Sequence, residues 1–368
     1  MNPRNITHLT SVHSRKDTRI FLKECISLSS SYDVNLVVAD GLGDEVVQEV
    51  SIIDVGKANG RLQRILTTTN KIYQKAMELD SDIYHFHDSE LLYAGLKLIR
   101  HGKKVIYDVH EDLPKLILEK TYLPSWFLPI LSKTLDIYEI YTARKFSSVL
   151  AATPSIQQRF TSQSITCHNI NNYPIIGELD TGVVNKEACY NICYIGDITR
   201  VRGIVELVKA LEFTDEKTRL LLGGPLNESG LLDELQSLKS WDKVDMLGFV
   251  TREQVKDIFA KSVAGMVTFL PFPNHIEAQP NKMFEYMSAE LPLIGSNFPL
   301  WREIIEGNNC GLCVNPMQPK AIANAINTLI DNKDLVVRMG QEGKKAVLSR
   351  YNWGIEEKKL LLIYKELT

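Results

Sequence analysis

Short apolar runs and amphipathic stretches alternate along the whole chain. "NITHLTSV" precedes the helical "DTRIFLKECISLSSSY", and "DVNLVVAD" and "VSIIDV" follow it. The long helical stretch "GRLQRILTTTNKIYQKAMELD" leads to "DIYHFHD", and "SELLYAGLKLIRHG" leads to "KKVIYDVHED". A proline-punctuated helical region then reaches "SSVLAAT", and "PSIQQRF" to "HNINNYP" completes this half. The runs are short and rich in Val, Ile and Tyr, as parallel strands covered on both faces are.

The pattern then restarts. "NICYIGD" precedes "RGIVELVKAL", "RLLLGG" precedes "GLLDELQSL", and "VDMLGFV" precedes "REQVKDIFAKS". Thr251 with Gln254 three residues later forms a capping-box signature for the last of these helices. "AGMVTFLP", "LPLIGSN" and "GLCVNP" continue the alternation. Two βα series predict an α/β protein of two doubly wound, Rossmann-like domains facing a cleft, with ligands beyond the carboxyl ends of the strands. The polar stretch "TSQSITCHNINNYPIIGELDTGVVNKEACY" reads as the linker, which sets the domains at 1–172 and 173–351. "NWGIEEKKLLLIYKEL" is helical, and its periodicity does not say which domain it covers.

Composition narrows the class. The 368 residues give room for two cores. A formal net charge of −3 lacks the basic excess of nucleic-acid binders. No apolar run approaches the roughly 18 residues that cross a bilayer. The opening "MNPRNITHLTSVHSRKD" is too polar for a signal peptide, so a cytoplasmic protein is expected. Cys310 and Cys313 form a C-x-x-C without the helix start of a redox site, and Cys189 and Cys193 would complete a zinc set. Small buried hydrophobes account for all four more simply, and no metal is expected.

Candidate chemistry centres on "EAQPNKMFEYM", Glu277 to Met287. A helix beginning near Pro280 puts Lys282 and Glu285 on one face, extended by Ala289, with Phe284, Met287 and Leu291 beside it toward the sheet. Its N-terminus suits a phosphate, and Lys282 adds a full charge there. Glu285 is placed to accept hydrogen bonds from ribose hydroxyls, with Glu277 near a second sugar. A sugar nucleotide fits this arrangement; on spacing alone, so does an ordinary surface Lys–Glu pair.

The longer text around it, "EAQPNKMFEYMSAELPLIGSNFPLWREII" followed by "CGLCVNPMQPKAIANAI", resembles the donor domain of glycosyltransferase family 4, whose fold is GT-B. "LTSVHSRKDTRIFLKEC", "DIYHFHDSELL" and "KKVIYDVHED" resemble the acceptor domain of bacterial members that build surface polysaccharides. The resemblance covers nearly the whole chain. It implies a metal-independent, retaining glycosyltransferase with no cofactor. The donor would be a nucleotide-diphosphate sugar (UDP favoured, GDP possible), and the acceptor a growing, lipid-linked surface glycan. It also implies that the last helix, 352–368, packs back on the N-terminal domain. Same-face attack and a covalent carboxylate intermediate both remain open as routes to retention. Two rival readings are a nucleotide-sugar epimerase of the same fold and a degenerate sugar-nucleotide-binding subunit of a transferase complex.

The resemblance assigns roles residue by residue. Glu277 and His110 are the expected catalytic positions, the histidine standing at the end of the strand in "YDVHED". Glu285 would hold the ribose and Lys282 the diphosphate. Arg202 stands where the family's second phosphate element has lysine. That element's arginine position falls near Gly196–Asp197, and Arg200 is the candidate to compensate. Gly223 and Gly224 would let backbone approach the donor, and Phe249 to Thr251 would touch the base. Glu290 occupies a position where the family has glycine.

On the acceptor side, His13, Arg15, Lys16 and Arg19 offer charge to an acidic acceptor such as a lipid pyrophosphate, or form a solvated basic loop. His85 and His87 are expected on opposite faces of their strand, so that one sees the cleft. His87 and Asp88 are kept as weak acceptor candidates. "TYLPSWFLPILSK", Thr121 to Lys133, with Lys115 and Lys120 before it, suits a membrane surface or a helix packed on its own domain.

Overall fold

Eight strands make the sheet of the first unit: β1 (Asn5–Leu9), β2 (Asp33–Val38), β3 (Glu45–Val47), β4 (Val50–Asp54), β5 (Ile83–Phe86), β6 (Lys104–Val109), β7 (Ser148–Ala151) and β8 (Cys167–Asn169). Their order is β3-β4-β2-β1-β5-β6-β7-β8. Every neighbouring pair is parallel except β3 with β4. The order reverses between β1 and β5, where doubly wound sheets place their ligands. The computed structural model describes residues 5–118, 124–181 and 189–367. The first unit takes residues 1–172 and 355–368, the second residues 173–354.

The second sheet holds β9 (Asn191–Ile195), β10 (Arg219–Gly223), β11 (Val244–Gly248), β12 (Ala264–Val267), β13 (Leu293–Ser296) and β14 (Gly311–Val314). Its order is β11-β10-β9-β12-β13-β14, all parallel, with the reversal between β9 and β12. Thr251 and Gln254 close their capping box at the start of helix Arg252–Ala260. All six cysteines are free.

β3 is absent from the sequence pattern. It is a three-residue antiparallel edge strand, joined to β4 through Gln48 and Glu49, both at positive φ (48° and 65°). A two-residue turn of that hand favours Asn or Gly, and neither is present to signal it.

Helix Asn281–Ser288 is buried nearly all round: Met283, Phe284, Tyr286 and Met287 are at most 1% exposed, and Lys282 is buried with them. It ends in a Schellman turn. Leu291 N–H donates to Tyr286 O at 2.9 Å and Glu290 N–H to Met287 O at 3.2 Å. Glu290 therefore sits in the left-handed C′ position, at φ 54°, where glycine is the usual residue. That geometry accounts for the family's glycine there.

Helix Leu128–Ala143 is inverted. Its inner face carries Ser132, Glu139, Thr142 and Ala143, and Glu139 accepts from the Tyr107 hydroxyl at 2.6 Å. Its outer side carries exposed Ile130, Ile137, Tyr138 and Tyr141, with Trp126 just before it. Among the described residues no helix is long and apolar enough to cross a membrane. Lys120 and Thr121 to Leu123 of the aromatic stretch lie outside the described residues.

Candidate functional site

In the second unit, β9 runs out into Gly196, whose φ of 133° suits glycine. Gly196 N–H donates to Gly223 O at 2.9 Å. A Cβ on Gly224 would stand 2.0 Å from Gly196 O, so the Gly223–Gly224 pair lets two backbone turns meet. A Cβ on Gly196 itself would lie 2.7 Å from Lys282 Nζ. The glycine thus opens the space into which the lysine extends.

Lys282 Nζ lies 3.7 Å above the Tyr194 ring and 5.2 Å from the Phe269 ring. It is fully buried, and no atom of the described residues accepts its hydrogen bonds. Burial, then the nearby Arg202, pushes its pKa well below the usual lysine range. The aromatic rings return only about 2 kcal/mol of the desolvation cost. Arg202 converges on the same turn: its Nη1 is 3.5 Å from where a Gly196 Cβ would be, and Nη2 pairs with Asp197 at 3.0 Å. An arginine and a buried lysine, both with unused donors, converge at a turn and the mouth of an eight-residue helix, a geometry suited to an anion.

One turn further along, Glu285 Oε1 accepts from Arg252 Nη1 at 2.8 Å, and Arg252 Nε reaches Glu178 Oε1 at 2.8 Å. No described residue bonds the second Glu285 oxygen. Glu277 is exposed at the end of the short helix Pro273–Ile276. Its loop is pinned on both sides, by Trp301 Nε1 donating to Ala278 O at 2.7 Å and His275 Nδ1 donating to Leu270 O at 3.0 Å. Phe249 is 84% exposed beyond β11. Tyr194, Gly196, Phe269 and Arg252 escape the sequence reading. Only Gly196, directly after a strand in "YIGD", carries a local signal.

The first unit holds a buried polar cluster behind His110. Arg19 donates to Asp108 through Nε at 2.9 Å and Nη2 at 2.7 Å. Asp108 Oδ2 lies 2.7 Å from His110 Nε2 and 3.1 Å from His87 Nδ1. His87 Nε2 meets His8 Nδ1 at 2.9 Å, and the Tyr364 hydroxyl lies 2.7 Å from His85 Nδ1. Glu24, set by the wide π-helical turn Ile20–Cys25, is fully buried 3.2 Å from Arg19 Nε. Burial, then Asp108, pushes its carboxyl well above the usual range, with Arg19 pulling the other way. Burial drives His8 and His85 well below 6.5 and His87 down to about 4.

Glu24 and His8, His85 and His87 gather within metal-ligand reach. Yet Glu24 Oε2 is 3.9 Å from His85 Nδ1 and 4.0 Å from His87 Nδ1. A tetrahedral zinc set has edges of roughly 3.4 Å, and Tyr364 and Asp108 already engage these two nitrogens. Hydrogen bonds link the three histidines to Asp108 and Tyr364, while neither Glu24 oxygen nor His85 Nε2 has a hydrogen-bond partner among the described residues.

Several expectations need correction. His85 and His87 share a face, their rings 4.6 Å apart, because alternation puts residues i and i+2 on the same side. His87 is buried inside the cluster. Arg19 is spent on Asp108 and on Ile170 O at 2.7 Å; Arg15 is spent on Asp40 at 2.7 Å and Glu45 at 2.9 Å. Neither has charge left for an acceptor. Asp88 is buried, accepting from Thr10 Oγ1 at 2.8 Å and Ser11 N–H at 2.6 Å. His13 bridges Asp17 and Asp88; burial alone would lower its pKa, but the two carboxylates lift it to about 10. Lys16 is exposed. Arg200 is neutralised by Glu228 and Glu234 and does not replace the missing arginine.

With this geometry in place, comparison with known proteins fixes the family. The Glycosyltransferase Family 4 model matches residues 28–170, and the model for Glycosyl transferases group 1 matches residues 182–346. A capsular polysaccharide biosynthesis glycosyltransferase, CapM of Staphylococcus aureus, is 26% identical over 170 residues, 44% of this chain and 42% of that protein. The alpha-D-kanosaminyltransferase of Streptomyces kanamyceticus is 22% identical over 180 residues, 48% of this chain and 45% of that one. These matches span under half the length of the curated relatives. Among solved structures, sucrose-phosphate synthase from Thermosynechococcus elongatus superposes with a TM-score of 0.79 at 14% identity, covering 99% of both chains. Anabaena HepE in complex with UDP-glucose gives 0.75 at 16%, covering 99% of this chain and all of that one. The two sheets and the two matched models agree, and the chain belongs to glycosyltransferase family 4, with the GT-B fold.

Proposed function

We propose that the protein is a retaining, metal-independent transferase that moves a sugar from a nucleotide-diphosphate donor, UDP-sugar first, to a growing lipid-linked glycan of the bacterial surface. The observation that carries this is the buried Lys282 ammonium, unpaired beside Arg202 at the Gly196 turn. A diphosphate supplies the acceptors that the ammonium lacks. Negative charge building on the leaving diphosphate would be stabilised by Lys282, Arg202 and the helix N–H groups, with no metal required. Glu285 takes the ribose hydroxyls; Glu277 and His110 are assigned to the transferred sugar. HepE, solved with UDP-glucose, supports the donor class, and CapM, named for capsular polysaccharide biosynthesis, supports the glycan. Calorimetric titration with UDP, GDP, ADP and CMP tests the reading. Selective binding of one nucleoside diphosphate, lost in Lys282→Ala and Glu285→Ala, is expected; binding of none would refute it.

The inverted helix Leu128–Ala143 supports a peripheral membrane contact on the inner face of the plasma membrane. Trp126, Ile130, Ile137 and Tyr141 form an exposed apolar stripe, with Lys133, Arg144 and Lys145 also exposed. A lipid-linked acceptor would be captured there. Flotation with anionic liposomes should recover the protein, and failure to float with any lipid would sink this part.

A further inference from the structure

The hydrogen bonds behind His110 run in one direction. Arg19 faces both oxygens of Asp108, which is therefore an anion and accepts only. The nitrogens that meet Oδ2, His110 Nε2 and His87 Nδ1, must then carry the protons. A neutral imidazole protonated on Nδ1 has its lone pair on Nε2. His87 Nε2 accordingly accepts from His8 Nδ1. His8 Nε2 is left as an acceptor, with the Tyr364 hydroxyl 3.3 Å away. Every N–H in the series His8, His87, His110 points toward Asp108. The first two rings are buried, whereas the His110 side chain is 16% exposed. No described residue bonds its Nδ1.

We propose that Asp108, locked by Arg19 and backed by His87 and His8, is a positioning residue that fixes His110 as the Nε2–H tautomer. Its Nδ1 then meets a ligand as a lone pair. The ligand group it selects is a donor, a sugar or acceptor hydroxyl; the other tautomer would instead offer a proton to a phosphate or carbonyl oxygen. That ligand assignment rests on His110 lying at the transferase site, but the tautomer does not.

Nitrogen NMR of protein labelled in its eight histidines reads the tautomer directly, with His110→Gln assigning the signal. The expected result at neutral pH is a pyrrole-like Nε2 and a pyridine-like Nδ1 for His110, and a mixed or inverted pattern in Asp108→Asn. Should Asp108→Asn fail to fold, the wild-type spectrum decides alone. A protonated Nδ1 in the wild type, or an unchanged tautomer in folded Asp108→Asn, would overturn the proposal. Nucleotide titration of the same samples reads the Lys282 site separately, so loss of the functional reading leaves this result standing.

Discussion

Arg252 holds Glu285 in place: its Nη1 grips one carboxylate oxygen at 2.8 Å and leaves the other to accept. A carboxylate fixed in this way loses less freedom when it binds a pair of hydroxyls. Arg252→Ala is expected to fold normally and weaken nucleoside-diphosphate binding about tenfold, the worth of one oriented hydrogen bond. Glu285→Ala should cost more. Arg252→Lys should recover little, because an ammonium cannot fork between Glu285 and Glu178. Calorimetry of the three variants checks this, and unchanged affinity in Arg252→Ala would remove its role.

On the proposed function, Lys282 is kept for donor binding at a cost in stability. Replacing an unpaired buried cation with an isosteric hydrophobe relieves desolvation. Lys282→Met should therefore raise unfolding stability by about 1–3 kcal/mol while diphosphate affinity falls at least tenfold. Chemical denaturation and calorimetry on one preparation give both numbers. A destabilised variant that still binds would make the ammonium structural.

Much of this was legible in the sequence, and the failures share a cause. The Val- and Ile-rich runs become strands because burial on both faces demands continuous apolar side chains. The Lys282–Glu285 spacing survives as geometry because a helix fixes it locally. Arg15 and Arg19 looked like a basic loop because their partners, Asp40 and Asp108, are remote in sequence. The His110 cluster was illegible for the same reason, since it draws on β1, β5, β6 and the last helix. Helix Leu128–Ala143 defied the usual inward apolar rule because Glu139 is paired with Tyr107 and Arg159.

Glu290 carries a left-handed backbone that a non-glycine side chain resists by about 1–2 kcal/mol. Glu290→Gly should recover about 1 kcal/mol after glycine's greater unfolded-state entropy is counted. The denaturation midpoint should rise with nucleotide binding unchanged. A lower midpoint would contradict the assignment of strain to this turn.

Stability should fall below about pH 6.5. Below that value the unfolded chain protonates His8, His85 and His87 while the folded chain holds them neutral, His87 down to about 4. Their contribution is therefore complete above pH 6.5 and is lost as the pH falls. Glu24 opposes them, since its raised carboxyl pKa contributes in acid and fades as pH rises. His13, raised to about 10, contributes below 6.5 and is lost as the pH climbs through 10. Each proton of difference gives a slope of about 1.4 kcal/mol per pH unit. Denaturation from pH 4.5 to 6.5 should show stability rising with pH; a flat or falling profile over that range would refute this balance.

The helix Trp353–Leu367 brings Tyr364 against His85 and His8, in a unit whose other residues end at Asn172. During synthesis, then, the unit begun first is finished last. The ribosome must make all of the second sheet before the hydroxyl that closes the histidine cluster exists. A nascent chain stalled after Gly354 would hold His8 and His85 in an unfinished core, leaving the N-terminal half exposed to chaperones for as long as its partner takes to emerge.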